Sequence, residues 1–316
     1  MIDKRVFVLA AFFSCLALSY TVADSPFKRT ENVVYAEAHG VALVMDIFQP
    51  TGVSNGLAIV DVISGAWHSD RGKLRDHSRA QVFSIMCRRG FTVFGIRPGS
   101  VSRFDGFDML AHLKLGLAWT RKHAKEYEID PDRLGLMGAS AGGHLACLTA
   151  VTIGVDGSTE TKNQGSAESQ AAGALGEGLR AVAVFFPPTD LLHYGGKEVD
   201  VSGKTRISRS IRRLVSQSSA DELSADEVRD RLRRLSPARL AHGQLPPFLF
   251  IHGDADTAVP LEQSERMVAA LQKVDVSAEL IVKEGGGHPW LTIFQEVEIM
   301  AGWFEKQLSK PAEQSS

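Results

Sequence analysis

Short apolar runs alternate with longer amphipathic stretches along most of this chain, and that alternation restricts the fold more than any other feature. The runs lie at residues 57–63, 91–96, 134–137, 181–186, 248–251 and 278–282. They are short enough for strands and nearly continuous in apolar residues. Strands that are apolar on both sides belong to a parallel sheet covered by helices. We therefore predict an α/β fold with a mostly parallel central sheet and helices on both faces, to which residues 33–48 add an antiparallel start.

The amphipathic stretches have the spacing of helices. The last of them carries apolar residues three or four positions apart, at Ile293, Val297, Met300, Phe304 and Leu308. A chain of 316 residues that is 44% hydrophobic can bury one large core. We predict a single domain at residues 24–310 and a disordered tail at residues 311–316.

Two stretches interrupt the alternation. Residues 154–178 are rich in Gly, Ser, Ala, Gln and Glu and contain almost no large apolar side chain, which predicts a long flexible loop at the surface. Residues 195–237 contain two amphipathic patterns, and the second begins with a capping box at Ser224 and Glu227. We interpret this region as a small helical lid insertion that shapes access of the substrate.

Charge and motif content exclude several classes of function. The formal net charge is −2, and the basic residues are spread along the chain, so nucleic acid is not expected as a partner. The sequence contains no H-E-x-x-H, no paired C-x-x-C and no dinucleotide-binding fingerprint, so neither a metal nor an organic cofactor is expected. Cys87 and Cys147 do not make a disulfide framework, and Cys147 is expected to be a buried free thiol.

The first residues have the pattern of an export signal. Lys4 and Arg5 precede an apolar stretch at residues 6–20, and small or β-branched residues follow before Asp24. This order predicts a signal peptide at residues 1–23 and a secreted or periplasmic protein. The alternative is an uncleaved anchor, but the apolar stretch is shorter than the ~20 residues of a membrane-spanning helix. After cleavage, no stable membrane insertion is expected.

The sequence LMGASAGGHL at residues 136–145 contains the pattern G-x-S-x-G, formed by Gly138, Ser140 and Gly142 between a predicted strand and a predicted helix. A serine hydroxyl becomes a good nucleophile when an imidazole accepts its proton and an acid orients that imidazole. In a strand–turn–helix arrangement the acid and then the histidine follow the serine in the chain. Ser140 is therefore the candidate nucleophile.

Suitable partners follow two later strands. Asp254 and Asp256 both lie in the loop after residues 248–251, and His288 follows three glycines after residues 278–282. The residues alone leave the choice between the two aspartates open. Each partner lies just after a predicted strand and in the order that the chemistry requires.

A serine that attacks a carbonyl group also needs backbone N–H groups that bind the resulting oxyanion. Ala141, directly after the serine, is one candidate donor. Gly65 or Ala66, in the loop after residues 57–63, is the other. Trp67 in the same loop is the candidate substrate-binding residue, with ordinary packing as the alternative.

Several blocks of sequence resemble α/β-hydrolases of the esterase and lipase kind, close to hormone-sensitive-lipase-like and carbohydrate-esterase-like members. The blocks are GFTVF at 90–94, IDPDR at 129–133, GASAGGHLA at 138–146, FPPTD at 186–190, and His252-Gly253 followed by Asp256 and Val259-Pro260. Together they cover the chain from about residue 41 to 304. The resemblance implies an α/β-hydrolase fold.

The resemblance also implies roles for individual residues. It makes Ser140 the nucleophile, Asp256 rather than Asp254 the acid, and His288 the base. Asp190 and His144 match positions that are expected to be structural, Asp190 as a cap or turn residue and His144 through packing or hydrogen bonding.

The chain departs from the family pattern in two places. Ile63-Ser64-Gly65 stands where many relatives have His-Gly-Gly, and His112 stands where an acidic residue is common. Backbone donors do not require the missing histidine.

These features predict a serine hydrolase that cleaves carboxylic esters through an acyl-enzyme intermediate. Small-molecule or carbohydrate esters with short acyl or acetyl groups are the expected substrates. Two alternatives stay open: a peptidase related to prolyl oligopeptidase, and a non-catalytic binding protein built on a hydrolase fold.

Overall fold

A computed structural model describes residues 25–153, 178–203, 206–216 and 223–309 of the chain. The predicted signal peptide at 1–23, the predicted loop at 154–178 apart from its last residue, and the predicted tail at 311–316 lie outside these residues.

The strands and helices follow one another in the predicted alternating order. The strands are β1 (Phe27–Ala38), β2 (Val41–Pro50), β3 (Ala58–Val62), β4 (Thr92–Ile96), β5 (Leu134–Ala139), β6 (Leu179–Phe185), β7 (His193–Tyr194), β8 (Lys197–Glu198), β9 (Phe248–Gly253) and β10 (Ala278–Lys283). The helices are α1 (Arg71–Arg79), α2 (Val82–Arg88), α3 (Gly106–Lys122), α4 (Ala141–Thr152), α5 (Arg206–Val215), α6 (Ala225–Arg234), α7 (Glu262–Gln272) and α8 (Ile293–Leu308).

The main sheet has the strand order β1-β2-β4-β3-β5-β6-β9-β10. β2 pairs antiparallel with both β1 and β4, and the pairs from β4 onward are parallel. Every residue of β3, β4 and β9 is buried, which explains why their sequences are apolar on both sides. The predicted parallel sheet with an antiparallel start is confirmed.

Helices bury an apolar cluster on each face of the sheet. α3, α4 and α7 cover one face, together with α5 and α6. α1, α2 and α8 cover the other. All five apolar residues that predicted the last helix are buried on this second face. The structure thus has the helices on both faces that the sequence predicted.

Both helices predicted within residues 195–237 are present as α5 and α6. Their apolar residues Ile211, Leu214, Val228 and Leu232 are buried against the body of the protein. α6 begins with the predicted capping box, in which the N–H of Ser224 donates to the Glu227 carboxylate at 2.8 Å. Across the residues that the structure describes, no helix has the length and hydropathy needed to cross a membrane.

Candidate active site

Ser140 lies at a sharp turn between β5 and α4. Its backbone has φ 54° and ψ −121°, a conformation that L-residues rarely adopt. The turn brings the backbone of α4 so close to the sheet that side chains do not fit: a Cβ on Gly138 would lie 2.5 Å from the carbonyl oxygen of Gly142, and one on Gly142 would collide with the carbonyl oxygen of Val62. The glycines of G-x-S-x-G are therefore required by the close approach that exposes the serine.

The structure brings the three predicted side chains together. Ser140 Oγ lies 3.0 Å from Nε2 of His288, and Nδ1 of His288 lies 2.6 Å from Oδ2 of Asp256. The other carboxylate oxygen of Asp256 accepts the N–H groups of Ala258 and Val259, at 2.8 and 2.9 Å. These bonds hold the Asp256 carboxylate in one orientation toward the imidazole.

Asp256 is held in its charged form. Burial alone would raise the pKa of this carboxyl, but hydrogen bonds from His252, His288 and the Val259 N–H outweigh burial and lower the pKa below its usual value. A carboxylate at this position accepts a hydrogen bond from Nδ1–H of His288, so Nε2 is the nitrogen left to accept a proton from Ser140.

Asp254 has a different role from Asp256. It is exposed, and its carboxylate accepts the N–H of Gly285 at 2.7 Å, at the start of the loop that carries His288. The geometry therefore selects Asp256 as the partner of the imidazole, as the sequence resemblance implied.

Phe186 is a site residue that sequence reasoning missed. Its ring centroid lies 4.4 Å from that of His288, and its N–H donates to Ile251 O at 3.0 Å at the end of β9. Phe186 thus packs beside the imidazole of His288. The block FPPTD contained this residue, but nothing in that block indicated a contact with His288.

The loop after β3 forms a tight turn. Gly65 and His68 exchange two backbone hydrogen bonds, both 2.9 Å long, around Ala66 and Trp67, which have φ 48° and 57°. Two successive residues with positive φ are typical of the two-residue turn of a hairpin. Because the N–H of Gly65 donates to His68, the structure excludes Gly65 as an oxyanion donor and leaves Ala66.

Ala66 and Ala141 keep their N–H groups available. Within the described part of the chain, neither group donates to a protein acceptor. The next N–H, of Gly142, donates to Ser64 O at 3.1 Å and so joins α4 to this turn. Ala66, Ala141 and Ser140 all line the same cavity.

A buried histidine supports the turn. The indole N–H of Trp67 donates to Nδ1 of His144 at 3.1 Å, and Nε2 of His144 donates to Leu235 O at 2.7 Å. Since indole can only donate, Nδ1 must be the acceptor and Nε2 must carry the proton. The predicted hydrogen-bonding role of His144 is confirmed. Trp67 is buried in this contact and also lines the cavity.

Asp190 is a turn residue, as predicted. Its Oδ1 accepts the N–H of Leu192 at 3.0 Å, and both carboxylate oxygens bind the guanidinium of Arg239 at 2.9 and 3.0 Å. The ion pair was not predicted, because Arg239 lies 49 residues away in the sequence.

The cavity in front of Ser140 has a volume of about 820 Å³. Its lining includes Tyr194 and Thr257, as well as Val82, Ile293 and Val297 from α2 and α8. This volume is in the range of sites for small molecules. In the described ranges, no group of three or more His, Cys, Asp or Glu side chains is placed to hold a metal ion.

The environment of His144 predicts a pH dependence of stability. Burial lowers the pKa of His144 from 6.5 to about 4. As the pH falls from 6.5 to 4, the unfolded chain binds a proton that the folded protein does not, so His144 destabilises the fold progressively. Glutamine does not titrate in this range. On acidification we therefore expect the free energy of unfolding of His144→Gln to fall less than that of the wild type, by about 1.4 kcal/mol for each pH unit. Urea unfolding of both proteins at pH 7, 6 and 5 measures this difference; a constant difference over that range contradicts it.

Comparison with known proteins places the chain in a family. A profile of the BD-FAE family matches residues 45–271. A probable isoprenylcysteine alpha-carbonyl methylesterase of Arabidopsis thaliana is 27% identical over 291 residues, which are 86% of this chain and 53% of the relative. An esterase of Mycobacterium tuberculosis is 24% identical over 256 residues, which are 77% of this chain and 53% of the relative. The chain thus spans about half the length of these curated relatives.

Solved structures show the same architecture. A truncated carbohydrate esterase from gut microbiota superimposes with a TM-score of 0.75 at 26% identity, over 91% of this chain and 99% of that one. A thermophilic esterase of Thermogutta terrifontis gives a TM-score of 0.64 at 23% identity, over 90% of this chain and 95% of that one. Solved structures of esterases thus show that the chain has the α/β-hydrolase fold that its sequence resembles. Because the family profile extends from β2 to α7, the chain belongs to the BD-FAE family.

Proposed function

We propose that this protein is a serine hydrolase that cleaves carboxylic esters through an acyl-enzyme intermediate. The observation that carries the proposal is the continuous hydrogen-bonded chain from Ser140 through His288 to Asp256 at a cavity wide enough for a small ester. The names of similar proteins support it, because the relatives and the solved structures described above are esterases.

In the first half of the reaction, Nε2 of His288 accepts the proton of Ser140 as the hydroxyl oxygen attacks the ester carbonyl. The negative charge that develops on the carbonyl oxygen is stabilised by the N–H groups of Ala66 and Ala141. The imidazolium of His288 is stabilised by Asp256, which stays ionised. His288 then donates its proton to the leaving alcohol, and the acyl group remains on Ser140.

In the second half, the same groups act on water. His288 accepts a proton from a water molecule, whose oxygen attacks the acyl carbon, and then returns the proton to Ser140 as the carboxylic acid leaves. Ala66 and Ala141 stabilise the second oxyanion as they did the first.

The proposed substrates are short-chain or acetyl esters of small molecules or carbohydrates. The printed names of similar proteins, a methylesterase and a carbohydrate esterase, support this proposal. The cavity is lined mostly by apolar side chains near Ser140, which suits the hydrocarbon part of a small ester.

We also propose that the protein is exported. The support is the order of basic, apolar and small residues within positions 1–23. Ester hydrolysis by this site needs no cytoplasmic co-reactant, so the reaction is compatible with a secreted or periplasmic enzyme.

Replacing the nucleophile tests the proposed activity. We expect Ser140→Ala to lower kcat for p-nitrophenyl acetate by 10³-fold or more, on the order seen when a catalytic serine is removed. Ser210→Ala, which changes another serine of the same cavity, is the matched control and should stay within a few-fold of the wild type. A fluorophosphonate probe should label the wild type and the control but not Ser140→Ala. Equal rates in all three proteins would refute the assignment.

The two aspartates of one loop give a second test. Asp256→Asn keeps the shape of the side chain but favours the wrong tautomer of His288, and we expect kcat to fall by roughly 10⁴-fold. Asp254→Asn removes a charge two residues away and should leave kcat within about threefold, because Asp254 contacts the backbone of Gly285 and not the imidazole. Similar losses in the two variants would exclude Asp256 as the orienting acid.

The support of the oxyanion turn gives a third test. Trp67→Phe keeps an aromatic ring in the cavity but removes the N–H that binds His144. Because oxyanion contacts form in the transition state, we expect kcat to fall on the order of tenfold while KM stays nearly constant. A rise in KM at constant kcat would instead identify Trp67 as a residue that binds the ground-state substrate.

A further inference from the structure

A second acid–histidine pair lies outside the catalytic machinery. Asp61, in the middle of β3, is fully buried, and its Oδ2 lies 2.7 Å from Nδ1 of His77 on α1. The other oxygen, Oδ1, is buried without a hydrogen-bond partner among the described residues. A buried carboxylate on a central strand is costly unless it is paired, and no step of the proposed reaction uses this one.

The pair leaves one ring nitrogen of His77 available. Asp61 can only accept, so Nδ1 of His77 carries a proton and donates it. In the part of the chain that the structure describes, Nε2 of His77 has no hydrogen-bond partner. His77 lines the same cavity as Ser140. Its free nitrogen is therefore the group that the pair can offer to a bound molecule.

The surroundings of His77 favour its imidazolium form, in which both ring nitrogens donate. Burial alone would lower the pKa of His77, but the attraction and hydrogen bond of Asp61 outweigh burial and raise the pKa above its usual value. The other charged groups near it are Asp76, which raises the pKa, and Lys73, which lowers it; these two lie 3.4 Å apart. Asp61 is thus paired with His77, and Asp76 is paired with Lys73.

Lys73 and Asp76, which pair with each other, line the cavity with His77, and most of its other lining residues are apolar. The wall includes Ala80, Val82, Met137, Ile293 and Val297. A wholly apolar group bound there would leave the Nε2–H of His77 without an acceptor, at a cost of about 1–3 kcal/mol. An apolar group that carries one neutral oxygen would bury against the same wall and also pair with the donor.

We propose that His77, oriented by Asp61, is a substrate-binding residue that donates a hydrogen bond to a neutral carbonyl or ether oxygen on an otherwise apolar part of the ester. The enzyme then prefers oxygenated esters to hydrocarbon esters of the same shape. Asp61 already balances the charge of His77, which favours a neutral acceptor over a carboxylate. The inference rests on the ester hydrolysis proposed above and specifies the substrate class for the same cavity.

Two pairs of isosteric esters test the preference. On the acyl side, p-nitrophenyl 4-oxopentanoate is compared with p-nitrophenyl 4-methylpentanoate. On the alcohol side, 2-methoxyethyl acetate is compared with butyl acetate. Within each pair, the ratio of kcat/KM is divided by the ratio of the hydroxide-catalysed rates, which removes the difference in intrinsic reactivity. We expect a corrected preference for the oxygenated ester on the order of tenfold in one pair, about the effect of one hydrogen bond.

Double variants assign that preference to the pair. Asp61→Leu with His77→Leu removes both partners, which avoids an unpaired buried charge and is often tolerated. We expect it to abolish the corrected preference. Asp61→Asn with His77→Gln removes the charges but keeps a donor, and should retain part of the preference. Urea unfolding confirms that each variant is folded.

The outcomes separate this inference from the proposed function. Hydrolysis of all four esters by the wild type with no corrected preference in either pair overturns the inference and leaves the ester hydrolase intact, whether or not the variants fold. A preference that survives unchanged in the Leu–Leu variant also overturns it, and makes the pair a packing contact of α1 on β3. If the wild type hydrolyses none of the esters, the proposed function itself fails and the inference fails with it.

Discussion

The close approach of α4 to the carboxyl end of β3 is the constraint on which the rest of the site depends. Gly142 has no room for a side chain beside Val62, and its N–H donates to Ser64 O. The same approach gives Ser140 its positive φ and sets the first turn of α4 beside the loop after β3. One backbone contact therefore positions Ser140, the proposed nucleophile, together with the N–H of Ala141 and the turn that contains Ala66, before any polar side chain contributes.

The sheet was predictable because burial on both faces leaves an unmistakable pattern of apolar runs. The serine, the acid and the histidine were predictable in position, since each follows such a run, but Asp256 and Asp254 could not be separated without the family resemblance. The sequence named Gly65 and Ala66 as candidate oxyanion donors but could not choose between them. The turn that contains them places Ala66 and Trp67 at positive φ, against the preference of both residues, and that conformation depends on tertiary contacts that no local pattern contains.

The protonation behaviour of two buried histidines was also not predictable from the sequence. His144 and His77 are both buried histidines on helices beside the sheet, yet their partners give them opposite protonation behaviour. His144 lies between an indole donor and a carbonyl acceptor, so burial lowers its pKa to about 4. His77 faces the Asp61 carboxylate, which raises its pKa despite burial. The difference arises from partners that are distant in sequence, so the histidines look alike until the fold is known.

The helical insertion is tied to the catalytic elements on more than one side. His144 of α4 binds Leu235 at the end of α6, and Tyr194 of β7 donates to Ala258 O at 2.6 Å, in the loop that carries Asp256. Arg239, just beyond α6, binds Asp190 after β6. The ends of the insertion are therefore bonded to the helix that follows Ser140 and to the loop that carries Asp256. Tyr194 and Ala258 also line the cavity, so the contact between them both shapes the cavity and holds the loop of Asp256, and these two effects are physically coupled.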